Sequence, residues 1–140
     1  MYRVTLDTNI LISATISKGN EFEIFRLGKL GKIKIVISPA ILQEFYLVIS
    51  RPKFGFSFLQ TELSFKQLLT FSGVIVPTVS ILSVKQDPSD NKILECAISG
   101  KVDFIISGDH HLIELNAFKG IPIITSSEFL ERLKKNFLVF

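Results

Sequence analysis

The sequence has no tryptophan and a single cysteine among its 140 residues. One cysteine excludes an intramolecular disulfide and a cysteine metal cluster, and it suits a reducing compartment. No basic segment followed by a long apolar region opens the chain, so we expect no export signal. The longest uncharged run, 67–84, contains Gly73 and Pro77 and falls short of the roughly 20 apolar residues that a membrane helix needs. These features predict a cytoplasmic protein that does not enter a membrane.

The composition is that of an ordinary globular chain. Apolar residues make up 47% of the sequence and charged residues 21%, which excludes a disordered tail. A chain of this length suits one folding unit, so we predict a single domain over 1–140. The net charge of +3 and the pI of about 9.1 are a weak basic bias, which favours polyanionic partners.

Short apolar runs alternate with amphipathic segments along the chain, which is typical of α/β proteins. We predict strands at 3–6, 34–37, 103–107 and 121–125, with one or two short strands within 74–84. Helices are predicted at 10–16, 21–31, 39–50, 59–72, 88–99 and 126–135, with a helical turn at 112–115. This alternation predicts a parallel sheet that helices cover on both faces.

Some helix boundaries are specified by single residues. Ser38 is predicted to cap a helix that begins at Pro39. Gly100 is predicted to lie just beyond the end of another helix, as its C′ residue. The last helix is expected to have Ser126 or Ser127 as its cap.

Two apolar segments have no obvious place in the core. The loop 51–58 carries rings at Phe54, Phe56 and Phe58, which we expect to pack on the core or on a second copy of the chain, with stacking on bases as the alternative. The terminal residues 137–140 are apolar and predict contact with a second subunit. We therefore expect a homodimer or a higher homo-oligomer.

The first predicted strand ends on an acid, Asp7. In open α/β sheets, functional residues collect at the carboxyl ends of the strands. Thr8 and Asn9 follow and precede a helical pattern, so a helix begins beside the acid. Asp7 is therefore either a helix cap or a ligand.

Further acids are predicted at the same edge of the sheet. Glu44 lies about 100° from the centre of the apolar face of its helix, so it lines a cleft or lies on the surface. Asp90 lies within about 10° of the inward stripe of its helix, although it could also serve in a capping box. Asp109 follows a second apolar strand, and Asp87 is predicted to cap the helix that contains Asp90.

The type of these side chains indicates a metal. Sets of carboxylates suit Mg²⁺ or Mn²⁺, whereas zinc is disfavoured because His110 and His111 are adjacent and are expected on an exposed turn. Metals held by carboxylates activate water and neutralise charge on a phosphate, so phosphodiester hydrolysis is the natural reaction. With four acids neutralised, sixteen basic residues would face nine acidic ones, a surface that favours nucleic acid.

Four segments of the chain form a set that resembles the motifs of the PIN domain family. The resemblance covers essentially the whole chain and keeps the order and spacing of the motifs. It is strongest to the stand-alone prokaryotic, VapC-like branch, which is regarded as the toxins of toxin–antitoxin pairs. The segments are Leu6-Asp7-Thr8-Asn9-Ile10-Leu11-Ile12-Ser13-Ala14, Glu44 followed by Arg51-Pro52-Lys53-Phe54, Asp87-Pro88-Ser89-Asp90-Asn91-Lys92, and Ser107-Gly108-Asp109.

The resemblance implies a Rossmann-like three-layer α/β/α sandwich with a mostly parallel sheet in which the first strand is central. It also implies a Mg²⁺- or Mn²⁺-dependent endoribonuclease. Asn9 and Ser107 occupy small polar positions that support the acids, Asp87 matches an extra acid with a cap as its other role, and His111 departs from the pattern because the family often has a further acid there. The catalytic and metal-binding acids carried over by position are Asp7, Glu44, Asp90 and Asp109.

The implied partners are an RNA substrate and an antitoxin protein. An alternative is a catalytically idle PIN-like module that binds RNA or another protein. A phosphoacceptor signalling domain is a second alternative, but it needs paired acids after the first strand and a lysine after the last. Leu6-Asp7-Thr8 and Thr125-Ser126 supply neither feature.

Overall fold

A computed structural model of the protein describes residues 1–79 and 88–138. The predicted cap Asp87 lies outside these ranges, as do residues 80–84 of the predicted strand region. The side chains of 137–140 are also outside the description, so their contact with a second subunit stays a prediction. The same holds for the prediction of a single domain over 1–140.

Strands and helices alternate through the described ranges. The strands are β1 (Tyr2–Leu6), β2 (Ile33–Ile37), β3 (Ser72–Val74), β4 (Phe104–Ile106), β5 (Ala117–Phe118) and β6 (Ile121–Ile124). The helices are α1 (Thr8–Ile16), α2 (Asn20–Lys29), α3 (Pro39–Ile49), α4 (Phe58–Phe71), α5 (Pro88–Gly100), α6 (His110–Leu115) and α7 (Ser126–Leu138). A short 3₁₀ helix, Pro52–Phe54, lies between α3 and α4.

The sheet has the strand order β3-β2-β1-β4-β6-β5. The pairs β1–β2, β1–β4, β2–β3 and β4–β6 are parallel, and the short strand β5 pairs with β6 in antiparallel direction. The first strand is therefore central, as the resemblance implied. The neighbours β1 and β4 end together at the carboxyl edge, because Leu6 is in register with Ile106.

Both faces of the central strand are covered. The hydroxyl of Thr5 lies 3.4 Å from the carbonyl oxygen of Val36 and 3.8 Å from the sulfur of Cys96, so this side chain faces α5. Successive side chains of a strand point to opposite faces, so Val4 and Leu6 face the other helical layer, and both are buried. The predicted three-layer α/β/α fold with a mostly parallel sheet is confirmed.

The region after α4 differs from the prediction. The strand begins at Ser72, directly at the end of α4, and overlaps the predicted range 74–84 only at Val74. One further ladder-like bond follows, from the backbone N–H of Ile75 to the carbonyl of Ile37 at 2.9 Å. Pro77 has no N–H to continue this pairing, and the described residues 75–79 form no strand.

The strand β5 was not predicted. Lys119 and Gly120 connect it to β6, and both residues have positive φ, 47° and 83°. Two such residues in sequence suit a tight hairpin turn, where asparagine or aspartate is the usual first residue. Because lysine stands at this position, the sequence did not indicate a hairpin turn, and β5 was missed.

Gly100 is the last residue of α5, and its predicted role as the C′ residue is wrong. Lys101 takes the left-handed conformation instead, with φ 51°. Gly100 is needed for close packing, since a Cβ there would lie 2.6 Å from Cγ1 of Val36 on β2. The carbonyl of Gly100 accepts two hydrogen bonds from the guanidinium of Arg3, at 3.0 and 2.7 Å, which fixes this helix end to β1.

The cap of the last helix also differs from the prediction. The hydroxyl of Thr125 accepts from the backbone N–H of Glu128 at 3.2 Å, and Ser126 is already the first helical residue. At the start of α3, the predicted cap is confirmed, because the Ser38 hydroxyl accepts from the N–H of Ile41.

The three rings of the loop take different positions. Phe54 and Phe56 are partly buried against the core, as expected, whereas Phe58 begins α4 and is 77% exposed. Among the helices of the described residues, none is long and apolar enough to cross a membrane.

Candidate metal centre

A small cavity of about 50 Å³ opens at the carboxyl edge of the sheet. All four acids carried over by the resemblance lie in its wall, together with Thr8, Asn9 and Ile93; the acids are Asp7, Glu44, Asp90 and Asp109. One water molecule needs about 10–15 Å³ of such volume, so a small cation with a few waters fits. Residues that are far apart in sequence therefore meet at this cavity.

Asp7 caps α1 and also faces the cavity. Its Oδ1 accepts from the backbone N–H of Ile10 at 2.9 Å, and its Oδ2 accepts a hydrogen bond from the hydroxyl of Ser107. Burial raises the pKa of this carboxyl above its ordinary value, and the nearby charge of Asp109 adds to the shift. Hydrogen bonds from Ser107 and from the backbone of Ile10 and Gly108 lower the pKa but do not cancel the effect of burial.

Ser107 connects two of the acids. This side chain is fully buried at the end of β4, and its oxygen accepts from the backbone N–H of Asp109 at 3.0 Å while its hydroxyl donates to Asp7. Asp109 in turn caps α6, since its Oδ1 accepts from the N–H groups of His111 at 2.8 Å and Leu112 at 3.4 Å. The two strand ends thus form one hydrogen-bonded unit.

Glu44 reaches the cavity from α3. Its Oε2 lies 2.9 Å from Nζ of Lys92 on α5, and the two side chains are 26% and 39% exposed. The predicted position on the flank of the helix is confirmed. Of the two predicted environments, cleft or open surface, the cleft is the one observed, because Glu44 lies in a cavity wall with the other acids.

Asp90 is the third residue of α5, and it is buried. Its predicted direction toward the sheet is confirmed, because it lies in the cavity wall beside Ile93. Asn9, predicted as a supporting residue, is exposed at the rim of the same cavity.

The donor set suits a hard divalent cation, because four carboxylates offer oxygen ligands to one space. In residues 1–79 and 88–138, however, no three His, Cys, Asp or Glu side chains are already arranged as a group that could hold a metal. Three of the acids have local partners instead: Asp7 is held by Ser107, Asp109 by the start of α6, and Glu44 by Lys92. The residue types fit a divalent cation, provided that Glu44 exchanges Lys92 for the metal.

The two histidines are exposed, as predicted, and their ring centroids lie 4.2 Å apart. Neither is among the described residues that line the cavity. The main residue that sequence reasoning missed is Lys92. It lies within the quoted motif, but nothing in the local pattern signals that it pairs with Glu44 on another helix.

A comparison with known protein families matches most of the chain. The family model of the PIN domain matches residues 3–111. The chain belongs to the PIN domain family. The matched range includes Asp7, Glu44, Asp90 and Asp109, so the candidate centre of this PIN domain lies within it.

Solved structures share the fold of this PIN domain. One of twelve matching chains belongs to VapBC2 from Rickettsia felis bound to a DNA fragment from the promoter. Its TM-score is 0.65 at 16% sequence identity, and the match covers 88% of this chain and 98% of that chain. At this identity the likeness establishes the fold. No curated protein matches the chain.

Proposed function

We propose that this PIN domain is a Mg²⁺- or Mn²⁺-dependent endoribonuclease that hydrolyses RNA phosphodiesters. Its metal-binding and catalytic acids would be Asp7, Glu44, Asp90 and Asp109. The observation that carries the proposal is that these four carboxylates line one cavity at the carboxyl edge of the parallel sheet. Function collects at this edge in α/β folds.

Each wall residue has a role in this proposal. Asp7 and Asp109 would hold the cation from the strand ends, with Ser107 orienting both of them. Glu44 and Asp90 would complete the ligand set from α3 and α5, and Asn9 would support it from the rim. A bound divalent cation would supply charge neutralisation for the phosphate and lower the pKa of a water molecule.

Charge supports RNA as the substrate class. Once four acids are neutralised, sixteen basic residues remain against nine acidic ones, and a basic surface attracts phosphates. The family resemblance favours RNA among the nucleic acids. The buried, reduced Cys96 is compatible with a cytoplasmic location, which forms part of the proposal.

Two protein partners belong to the proposal. An antitoxin partner is supported by the resemblance to the VapC-like branch and by the fold shared with VapBC2. A homodimer or higher homo-oligomer is supported by apolar side chains that are exposed on α3 and α4, among them Leu47, Phe58 and Leu63.

The decisive experiment measures cleavage of a fluorescent RNA with and without Mn²⁺. We expect Asp7→Asn and Asp90→Asn to fold and to lose roughly 100-fold or more of the Mn²⁺-dependent rate. Glu131→Gln is the matched control, because this exposed acid of α7 lies away from the cavity and should keep full activity. Full activity in either aspartate variant would contradict the assignment.

A catalytically idle module that binds RNA or a protein is the second candidate. It is favoured by the local bonds of Asp7, Glu44 and Asp109. Within the described residues, no three potential ligands are grouped closely enough to hold a metal ion. The same assay separates the two candidates, since an idle module would bind the RNA and leave it uncut with Mn²⁺ present.

A further inference from the structure

Lys92 contacts one member of the acid cluster, Glu44. Its ammonium contacts Glu44 at 2.9 Å across two helices that are 48 residues apart in sequence. The same helix carries Asp90 in its first turn, so α5 brings one acid and one ammonium to the same region. Both members of the pair are partly withdrawn from water, with exposures of 39% and 26%.

A second ion pair within the described residues, on α2, is different in kind. Glu23 and Arg26 are one turn apart on α2, and their side chains are 39% and 52% exposed. Such a pair serves the helix surface and contributes little to stability. The pair of Lys92 and Glu44 instead joins α3 to α5 and involves an acid of the cavity wall.

A cation that binds Glu44 has to compete with this ammonium. Carboxylate oxygens that accept from Lys92 are less available as ligands, and a positive charge beside the cavity repels a second one. Three like-charged neighbours share the cavity with Glu44, so the ammonium also relieves repulsion among the four acids.

We propose that Lys92 is a positioning residue that competes with the divalent cation for Glu44 and thereby sets the cation affinity of the centre. This inference rests on the proposed function, because it requires that the cavity binds Mg²⁺ or Mn²⁺. It goes further by assigning a regulatory role to a residue outside the ligand set.

The test is calorimetric titration of the purified protein with Mn²⁺ at low ionic strength. We expect Lys92→Met to lower the Kd for Mn²⁺ by roughly three- to tenfold, since an ion pair no longer has to be broken. Lys92→Arg keeps the charge and the reach, so its Kd should stay near that of the unmodified protein. Arg26→Met is the matched control, because it removes an equal charge and an ion pair from α2.

A second background isolates the competition. In Glu44→Gln the ammonium has no carboxylate to hold, so adding Lys92→Met should lower the Kd clearly less than it does in the unmodified protein, and an equal change in both backgrounds would overturn the competition. A general Coulomb effect of lost positive charge would instead persist in that background. Thermal unfolding without metal confirms that each variant is folded before titration.

The outcomes separate this inference from the proposed function. If the unmodified protein binds Mn²⁺ and Lys92→Met behaves like Arg26→Met, or binds more weakly, the role of Lys92 is overturned and the metal centre stands. If the unmodified protein binds no Mn²⁺ at all, the proposed function fails and this inference falls with it.

Discussion

The cavity has two walls that are held in different ways. The sheet wall consists of Asp7, Ser107 and Asp109, which are tied to backbone N–H groups and to one another. The helix wall consists of Glu44 and Asp90, and Glu44 is held by the side-chain pair with Lys92. The first wall follows from strand register, whereas the second depends on the packing of α3 against α5.

This difference separates fixed ligands from exchangeable ones. The hydrogen bonds that Asp7 accepts in the sheet wall are buried, so breaking them leaves carboxylate oxygens without donors, which is costly. The ion pair of the helix wall is partly exposed, so exchanging the partner of Glu44 costs less than breaking the buried bonds of Asp7. We infer that the sheet wall fixes the positions of Asp7 and Asp109 and that the helix wall sets the affinity for the cation.

Among changes that leave the four acids in place, the largest expected effect comes from breaking the sheet wall at its connecting residue, Ser107. Ser107→Ala removes the donor to Asp7 and the acceptor of the Asp109 N–H. We expect a 10- to 100-fold loss of Mn²⁺-dependent RNA cleavage, typical of a lost supporting bond, and a loss of about 1–3 kcal/mol of stability. Ser64→Ala on α4 is the control in both the cleavage assay and denaturant unfolding.

The second effect concerns the charge of the sheet wall without metal. Burial raises the pKa of Asp7, so its ionisation opposes folding. Stability is therefore lost as the pH rises from the ordinary carboxyl value of 3.8 through the raised value. We expect Asp7→Asn to raise the Tm at pH 7 by about 4 °C for each kcal/mol relieved, and to lose this advantage in strong acid.

That prediction separates the effect of the Asp7 charge from the effect of its hydrogen bond with Ser107. Asparagine keeps the oxygen that accepts from Ile10 while it removes the charge. The Nδ2 of asparagine cannot accept from Ser107, so a Tm that falls at pH 7 in EDTA would indicate that the lost bond from Ser107, and not the crowded charge, dominates at Asp7.

A smaller effect is expected at Cys96, a buried ionisable group that serves as a comparison for the acids. Burial raises the pKa of this thiol to about 11, from 9.0. Stability should therefore fall as the pH rises from 9.0 toward 11, by about 1 kcal/mol at pH 10. Cys96→Ala should lack this part of the alkaline loss, measured by urea unfolding at pH 7.5 and pH 10.

The smallest expected effect tests whether contacts between α3 and α4 also influence the position of Glu44. The hydroxyl of Tyr46 on α3 donates to Glu62 on α4 at 2.6 Å. Tyr46→Phe should leave the Mn²⁺ Kd within about twofold, because Glu62 does not line the cavity and the pair of Glu44 with Lys92 stays intact. A change as large as that of Lys92→Met would show that α4, and not Lys92, controls the position of Glu44.

Local sequence signals identified much of the sheet wall. A strand that ends on Asp7 and another that ends before Asp109 are visible as apolar runs, and parallel strands place both ends at one edge. The choice between cap and ligand was nevertheless too narrow. Asp7 caps α1 with one oxygen and accepts from Ser107 with the other, so the cap is confirmed and the role as a ligand stays a prediction for the same carboxylate.

The helix wall was harder to predict. Angular position placed Asp90 inward and Glu44 on a flank, and both placements are confirmed. The pair with Lys92 was missed because it depends on how α3 lies against α5, which no periodicity within one helix encodes. The same limitation explains Gly100, whose reason for being glycine is a side chain of another element, Val36.

Gly100 gives the centre a distant support point. Helix α5 touches β2 closely at this end, and the opposite end, about 15 Å away by helical rise, carries Asp90 and Lys92. Because the helix moves as a rigid unit, an added methyl group at Gly100 would push its C-terminal end away from Val36 and displace its N-terminal end as well. Replacing Gly100 by alanine would thus shift Asp90 and Lys92 together relative to the ends of β1 and β4, although position 100 lies far from the cavity.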